Sequence, residues 1–154
     1  MGRRMADGGE IPWGEDPPFR APVFVVTHRP RPALQRQGGT SFTYVTSGIE
    51  SAINQARAAA NGKNVAIAGG GSLLRQVIKL GLLDELELHI IPVILGEGMS
   101  LLDPDLGLGG KEGIELTPAR VVATPDATHI RYKIDGRRPL VLDNRGRDEE
   151  PATA

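Results

Sequence analysis

Three consecutive glycines followed by a serine are the residues of this sequence that best suit chemistry with an anion. They are Gly69, Gly70, Gly71 and Ser72. They follow the apolar residues 65–68 and precede a helical pattern that begins at Leu73. Glycine lets a backbone come close to a ligand, and the N–H groups of a first helical turn attract negative charge. The pattern therefore indicates either a phosphate site or a plain strand-to-helix turn that needs glycine for positive φ.

Two common nucleotide-binding motifs do not fit this turn. A Rossmann motif would need a third glycine where Leu74 stands and an acidic residue at the end of the next strand. A Walker loop would need a lysine after its last glycine, but Ser72 follows directly. A less common dinucleotide mode remains, in which a second strand end lies near the glycine turn. The residues at that strand end are Thr27, His28 and Arg29.

Alternating strand and helix patterns would position these residues. Residues 65–68 suit a strand buried on both faces, and residues 22–27 are β-branched and aromatic, as in a strand. Residues 42–45 form another short strand pattern. The helix after the glycine turn is expected to have Gly71 or Ser72 as N-cap and to end before Gly81.

A second helix is predicted from a capping box at residues 47–50, and Asn61 and Gly62 end it. One narrow apolar stripe indicates that it lies on a sheet. The stripe consists of Ile49, Ala52, Ile53, Ala56 and Ala60.

In the later part of the chain, apolar and polar residues alternate as they do in strands. Residues 86–90 predict a strand that runs into 91–95, with Pro92 marking a bulge or an edge. A long irregular connection follows over residues 96–110. Residues 115–124 and 128–134 then predict an antiparallel hairpin with one wet face.

The first 22 residues are rich in glycine, proline and charge, and the pattern predicts a loop-like segment. Trp13 is expected either to stack on a ligand ring or, more commonly, to cover the core. Four carboxylates in this segment are expected to be solvated rather than catalytic. They are Asp7, Glu10, Glu15 and Asp16.

Composition excludes several classes of protein. The 154 residues are 40% hydrophobic, which suits one globular domain, and 18 basic residues against 19 acidic ones give no field for nucleic acid. With no cysteine there is no disulfide, thiolate catalysis or cysteine-bound zinc. No apolar run reaches membrane-spanning length. We expect a cytoplasmic protein with no metal, nucleic-acid or membrane partner.

Three blocks, residues 68–73, 82–86 and 92–98, resemble in order and spacing the reductase domain at the C-terminus of the bifunctional riboflavin-biosynthesis deaminase/reductase. That family shares its fold with dihydrofolate reductase. The resemblance extends to residues 22–29, to the hairpin, and to a chain start similar to the family's helix-opening motif. It implies an α/β domain over residues 1–136, with a mixed, mostly parallel sheet, a C-terminal antiparallel hairpin and helices on both faces. Residues 137–154 are expected to be a disordered polar tail.

The resemblance implies NADPH-dependent hydride transfer to a pyrimidine, 5-amino-6-(5-phosphoribosylamino)uracil, or to a pteridine-like small molecule, in a homodimer. The alternative is a non-catalytic NADP-binding or dimerising remnant of that fold. No deaminase zinc motif is present, so the partner activity of the bifunctional enzyme is not expected here.

The resemblance also assigns cofactor contacts. Residues 69–72 would face the NADPH pyrophosphate, and residues 27–29 its adenosine end. Three residues would approach from the opposite side, namely Gly2, Arg3 and Arg4. Arg29 would grip the 2′-phosphate and favour NADPH over NADH, unless Arg29 and Arg31 are merely solvated loop residues. Met5 departs from the threonine or asparagine that is usual in the family.

The resemblance starts in mid-domain. The first strand, the helix after it and the second strand of the family have no counterpart, so the sequence yields no catalytic acid. We expect this length alone to be marginally stable, prone to dimerise and nearly inactive. An upstream extension of roughly sixty residues is expected to restore the enzyme.

Overall fold

In a computed structural model of the chain, the residues described are 1–102 and 112–139. They form two compact units. One comprises Met1–Leu80 with residues 99–102, and the other comprises Gly81–Gly98 with residues 112–139. The predicted extent of one reductase domain, residues 1–136, stays a prediction.

Besides a short 3₁₀ helix at Gln37–Gly39, the first unit contains three α-helices and three strands among its described residues. They are α1 (Arg3–Trp13), β1 (Pro22–Val26), β2 (Leu34–Gln35), β3 (Ser41–Val45), α2 (Ile49–Ala60) and α3 (Gly71–Lys79). β3 is the middle strand of this sheet, parallel to β1 and antiparallel to β2. The predicted strands at 22–27 and 42–45 are confirmed, whereas the two-residue β2 was not predicted.

The N-terminal segment is a helix, so the prediction of a loop over residues 1–22 is wrong for α1. Gly8, Gly9 and Pro12 disfavour a helix locally, which is why the pattern was misleading. Tertiary packing compensates, since Ala6 and Gly9 are buried. A side chain on Gly9 would collide with the ring of Trp13, so glycine is what lets that ring lie against the helix.

The core of the first unit contains Ala6, Val25 and Phe42. The ring centroid of Trp13 lies 4.8 Å from that of Phe19 and 6.3 Å from that of Phe42. Trp13 therefore covers the core, which is the commoner of the two alternatives that the sequence left open.

Helix α2 follows its predicted stripe but not its predicted cap. Ile49, Ala52 and Ile53 are buried, as expected. The N-cap is Gly48, and Ser47 instead donates a hydrogen bond of 2.8 Å to the hydroxyl of Ser51. The prediction of a capping box is therefore wrong. A glycine with φ of +95° at this point moves the serine out of capping position.

Residues 65–68 make no strand pairing, so the predicted buried strand is not formed. None of the backbone hydrogen bonds among the described residues involves them. A strand exists only through a neighbouring strand, and the apolar sequence cannot supply that neighbour by itself.

The second unit is an antiparallel sheet of β4 (Glu85–Ile90), β5 (Glu112–Ala123) and β6 (Thr128–Pro139), with β6 in the middle. The hairpin is confirmed, and its turn is closed by hydrogen bonds between Thr124 and Ala127. β6 includes residues 137–139, which had been assigned to the tail. The rest of the predicted tail, residues 140–154, lies outside the described residues.

Strand β4 ends at Ile90 rather than continuing through 91–95. The Val93 N–H donates to the Ile91 carbonyl at 2.8 Å, which makes a tight turn around Pro92. Beyond it Ile94 is 99% exposed, so this apolar segment is not part of a core. Residues 103–111 of the predicted long connection lie outside the described residues.

The mixed α/β class is confirmed, but the sheet differs from the prediction. The described strands form two three-stranded sheets, and one of their four ladders, β1 with β3, is parallel. In the part of the chain that the structure describes, no helix has both the length and the apolar content needed to cross a membrane.

Candidate anion-binding site

The glycine turn combines unusual backbone conformations with the start of a helix. Gly69 has φ of +96° and Gly70 has φ of +36°, so both lie in the region that favours glycine. Gly70 is the N-cap of α3, where Gly71 or Ser72 was predicted. Its carbonyl accepts hydrogen bonds from Leu73 and Leu74, at 3.1 and 3.2 Å. Backbone conformation alone thus accounts for two of the glycines.

The turn is open at Gly70 and closed at Gly71. A Cβ on Gly70 would meet nothing within 4 Å, whereas one on Gly71 would lie 3.0 Å from the Leu101 carbonyl oxygen. Arg75 holds the segment that forms this wall, because it donates to the Ser100 carbonyl at 3.2 Å. No side chain caps α3, and Ser72 is exposed. The open side of the turn is therefore accessible.

Helix α1 meets the turn at its first residues. A Cβ on Gly69 would lie 2.5 Å from the sulfur of Met5, so the turn and α1 are in close contact. Gly2 is the N-cap of α1 and forms a parallel bridge with Val26 at the end of β1. Residues 2–4 and 69–72, both expected to contact the cofactor, thus lie close together.

Arg3 connects the same helix to the loop after β1. Its Nε lies 2.6 and 2.7 Å from the two carboxylate oxygens of Asp7, and its Nη1 donates to the Arg29 carbonyl at 3.4 Å. The guanidinium also lies 5.4 Å from the centre of the Tyr44 ring. Arg3 is therefore neutralised and held in place, so it positions the loop more than it offers charge to a ligand.

The loop after β1 is shaped by the buried Thr27. Its hydroxyl accepts a 3.0 Å hydrogen bond from the Arg29 N–H. The side chains of His28, Arg29 and Arg4 are exposed. Within the described ranges, the guanidinium groups of Arg4 and Arg29 make no hydrogen bond or ion pair. Arg4 of α1 and Arg29 of the adjoining loop are thus available to an anion.

Arg31, unlike Arg29, forms an ion pair. Its Nη1 and Nη2 donate to the two oxygens of Glu10, at 3.0 and 2.7 Å, and it lies 5.5 Å from the Tyr44 ring centre. The hydrogen bond from Arg31 holds the pKa of Glu10 below its ordinary value and raises the pKa of Arg31 itself. The interpretation of Arg31 as a merely solvated residue is therefore wrong. Its partner lies 21 positions away, where no local pattern could reveal it.

All four carboxylates of the N-terminal segment are paired with arginines. The pairs are Asp7 with Arg3, Glu10 with Arg31, Glu15 with Arg36 and Asp16 with Arg20. Each carboxylate thus balances the charge of an arginine, and the expectation that none is catalytic stays a prediction.

The three predicted groups of residues therefore adjoin the first turns of α1. The loop 27–29 reaches α1 through Arg3, and the turn 69–72 reaches it through Met5. A helix N-terminus, an open glycine turn and unpaired guanidinium groups are what phosphate groups require. The residues present fit the phosphates of a dinucleotide such as NADPH. In the described residues no three metal-ligating side chains cluster.

Comparisons with known proteins identify relatives of this chain. YyaP of Bacillus subtilis (strain 168), an uncharacterized protein, is 32% identical over 106 residues, which are 65% of this chain and 56% of YyaP. The chain thus spans little more than half the length of this curated relative.

Two solved structures are also similar. A Shewanella sp. PV-4 protein named for riboflavin biosynthesis has a TM-score of 0.68 at 22% identity, over 88% of this chain and 72% of that one. A pyrimidine reductase-like protein of Corynebacterium diphtheriae has a TM-score of 0.48 at 21% identity, over 72% of this chain and 49% of that one. The likeness to the Shewanella protein confirms the dihydrofolate reductase-like fold.

The family assignment rests on the sequence itself. Residues 9–130 match the model of the RibD C-terminal domain. That range covers most of the 154 residues and contains the three blocks on which the resemblance was based. This chain therefore belongs to the RibD C-terminal domain family.

Proposed function

We propose that the chain is the cofactor-binding part of an NADPH-dependent reductase, with the pyrophosphate at the glycine turn. The observation that carries this proposal is the open, left-handed backbone at Gly70, at the N-terminus of α3 and next to α1. A side chain would occupy the space in front of this backbone, and glycine leaves that space to a ligand.

Electrostatics support the same placement. The N–H groups at the start of α3 favour negative charge, and no side chain of the protein caps them. Arg29 can donate two parallel hydrogen bonds to a phosphate, which a solvated lysine would do less well. We assign Arg29 to the 2′-phosphate, so the site favours NADPH over NADH.

The chemistry of the reaction belongs to the cofactor, which supplies a hydride when bound. The residues of this chain hold and orient it, with Thr27 fixing the loop that presents Arg29. We propose a pyrimidine or pteridine-like small molecule as substrate, with 5-amino-6-(5-phosphoribosylamino)uracil as the first compound to test. Family membership and the name of the Shewanella protein support this choice.

A second candidate function is cofactor binding without catalysis. The paired carboxylates favour it, since each of the four N-terminal acids forms an ion pair with an arginine. NADPH oxidation measured by absorbance in the presence of the pyrimidine separates the two candidates, because binding without oxidation supports the second.

The binding proposal is tested by titration calorimetry with NADPH and NADH. We expect Arg29→Ala to weaken NADPH about tenfold or more, because a charge-assisted hydrogen-bond pair contributes about 1.5–3 kcal/mol. NADH, which lacks the 2′-phosphate, should be nearly unaffected. Arg57→Ala, which removes an exposed arginine near the end of α2, is the matched control and should change neither affinity. Equal losses for both cofactors would contradict the role of Arg29.

A further inference from the structure

Two of the three histidines of the chain face each other across the sheet of the second unit. His89 of β4 and His129 of β6 are directly opposite in the antiparallel ladder. Their Nδ1 atoms lie 2.6 Å apart, and their ring centroids lie 4.8 Å apart. The pair is exposed to solvent. Two imidazole nitrogens thus converge on one point at the surface.

The hydrogen bond between the rings requires a free lone pair on one Nδ1. One ring donates its Nδ1–H, and the other accepts through its Nδ1. In its second neutral tautomer the donating ring carries its proton on Nε2, and both Nδ1 atoms then present lone pairs to the same point. Converging imidazole lone pairs are ligands for a transition-metal ion. Such an ion can take the place of the shared proton without a net loss of protons from two neutral rings.

The neighbouring side chains on this face do not oppose a cation at the histidine pair. Val122 faces His129 from β5 and carries no charge. In the next row Glu87 faces Arg131, and their ion pair at 2.9 Å balances the charge of the guanidinium. The hydrogen bond from Arg131 is the largest cause of the lowered pKa of Glu87, and charge on His89 lowers this pKa further. Positive charge at His89 therefore interacts favourably with the Glu87 carboxylate.

The distance between the two nitrogens favours one class of metal. A transition metal holds an imidazole nitrogen at about 2.0–2.1 Å. Two such bonds at a right angle place their nitrogens about 2.9 Å apart, whereas a tetrahedral angle places them about 3.3 Å apart. The observed 2.6 Å is closer to the right-angled value, so a small rotation of two exposed rings suffices. Right angles between ligands are typical of Cu²⁺ and Ni²⁺, whereas Zn²⁺ prefers a tetrahedron.

We propose that His89 and His129 form a binding site for a divalent transition metal of square-planar preference, Cu²⁺ or Ni²⁺, through both Nδ1 atoms. Water completes the coordination of the metal. The bound ion would fasten β4, an edge strand, to the central strand β6 close to the end of β4 at Ile90. The site lies within the second unit and does not depend on the proposed cofactor.

Two observations limit the affinity of this site. In the described parts of the chain, no group of three metal-ligating side chains occurs, so the protein supplies fewer ligands than a structural zinc site does. Arg120 lies opposite Arg131 and adds positive charge to the row beside the histidines. No spacing pattern reveals the pair, because its members lie 40 positions apart along the chain.

Titration calorimetry with Cu²⁺ tests the proposal on the full chain. We expect His89→Gln and His129→Gln each to weaken binding at least about tenfold, because a chelate of two rings becomes a single ligand. His28→Gln is the matched control, since it removes the third histidine, which is exposed and lies in the first unit. It should leave the affinity unchanged. Failure of the unmodified chain to bind Cu²⁺, or equal affinity in all four proteins, would overturn the proposal.

The choice of metal is tested on the unmodified chain. Ni²⁺ should compete with Cu²⁺ for the same site and bind it more weakly, whereas Mg²⁺, which prefers oxygen ligands, should not compete. Ni²⁺ should also raise the melting temperature of the unmodified chain but not of the His89 and His129 variants, because the two rings meet only in the folded state. Equal stabilisation of all these proteins would contradict the site.

Nuclear magnetic resonance locates the metal without any substitution. A small amount of paramagnetic Cu²⁺ should broaden the ring signals of His89 and His129 and leave those of His28 sharp. This measurement decides even if a glutamine variant does not fold. Broadening of the His28 signals alone, or of all three histidines equally, would overturn the proposal.

Discussion

In the second unit β6 lies between β4 and β5 and pairs with both, whereas in the first unit β1 has one complete ladder and one bridge. Leu88 faces Ile130, which in turn faces Val121, so apolar positions stay in register across all three strands. In the first unit the apolar residues 65–68 have the right composition but no partner.

The two units differ in how their paired strands are connected. Strands β5 and β6 are joined by a turn of four residues that the hydroxyl of Thr124 closes. A parallel pair such as β1 and β3 needs a crossover, although these two strands lie closer together along the chain than β4 and β6, which also pair. The hairpin is therefore closed by its own turn, whereas the second edge of β1 makes only the bridge with Gly2 among the described residues.

The largest effect is expected in the core of the first unit. Phe42 is buried and packs against Trp13 and Phe19. Phe42→Ala should lower the free energy of unfolding by about 3–5 kcal/mol, because it leaves a cavity under two rings. Urea denaturation measures this loss.

The matched change in the second unit is Val121→Thr, which keeps a β-branched residue at a position that is 60% exposed. We expect a change within about 0.5 kcal/mol. A loss of similar size for the two variants would break the comparison, since it would mean that β5 carries as much of the packing as the core of the first unit.

The glycine turn should show an intermediate effect. Gly69→Ala imposes a left-handed conformation on alanine, which costs about 1–2 kcal/mol, and it also drives a methyl group into Met5. Gly62→Ala is the matched control, with φ of +82° and open space around the new methyl. The amount by which Gly69→Ala lowers the melting temperature more than Gly62→Ala does measures the contact between the turn and α1.

The double variant Gly69→Ala with Met5→Ala isolates that contact. Removing the methionine sulfur should abolish the extra loss of stability seen for Gly69→Ala over Gly62→Ala. Only the loss caused by the left-handed backbone conformation should then remain. If Gly69→Ala and Gly62→Ala lower the melting temperature equally, the turn does not contact α1. The proposal that residues 2–4 and 69–72 face the same cofactor would then be contradicted.

The elements that the sequence predicted well are those defined by local chemistry. β-Branched residues predicted β1, one apolar stripe predicted α2, and a turn between two alternating segments predicted the hairpin. Gly81, with φ of +65°, follows the end of α3 as expected. Helix α1 was missed because Gly8, Gly9 and Pro12 disfavour a helix locally, whereas the packing of Trp13 and Ala6 in the core stabilises it. Propensity is a weak guide where tertiary contacts decide.

The candidate site shows the same division. The residues proposed for phosphate binding were named from glycine spacing and family resemblance, and the structure brings them to one helix. The ion pairs of Arg31 and Arg36 with acids of the N-terminal segment could not be predicted, since a charge far along the chain leaves no periodic signal. The assignment of residues 69–72 and Arg29 to NADPH stays a prediction until affinities are measured.

The smallest expected effect compares one ion pair from each unit. Glu10 accepts two hydrogen bonds from Arg31 and lies 3.9 Å from Arg36, whereas Glu87 accepts one from Arg131 at 2.9 Å. The hydrogen bonds from these arginines hold the pKa of each carboxyl below its ordinary value of 4.5. A lowered pKa in the folded state means that the stabilisation is present above about pH 4.5 and is lost as the pH falls further.

We therefore expect Glu10→Gln to lower the melting temperature at pH 7 and to flatten its decline between pH 5 and pH 3, since glutamine has no proton to gain. Glu87→Gln should change the profile in the same direction but less, because a single bond between half-exposed side chains is weak. Melting curves over this pH range measure both. If Glu87→Gln has the larger effect, then charge pairing on the antiparallel sheet matters more than the Glu10 to Arg31 pair that joins α1 to the loop after β1.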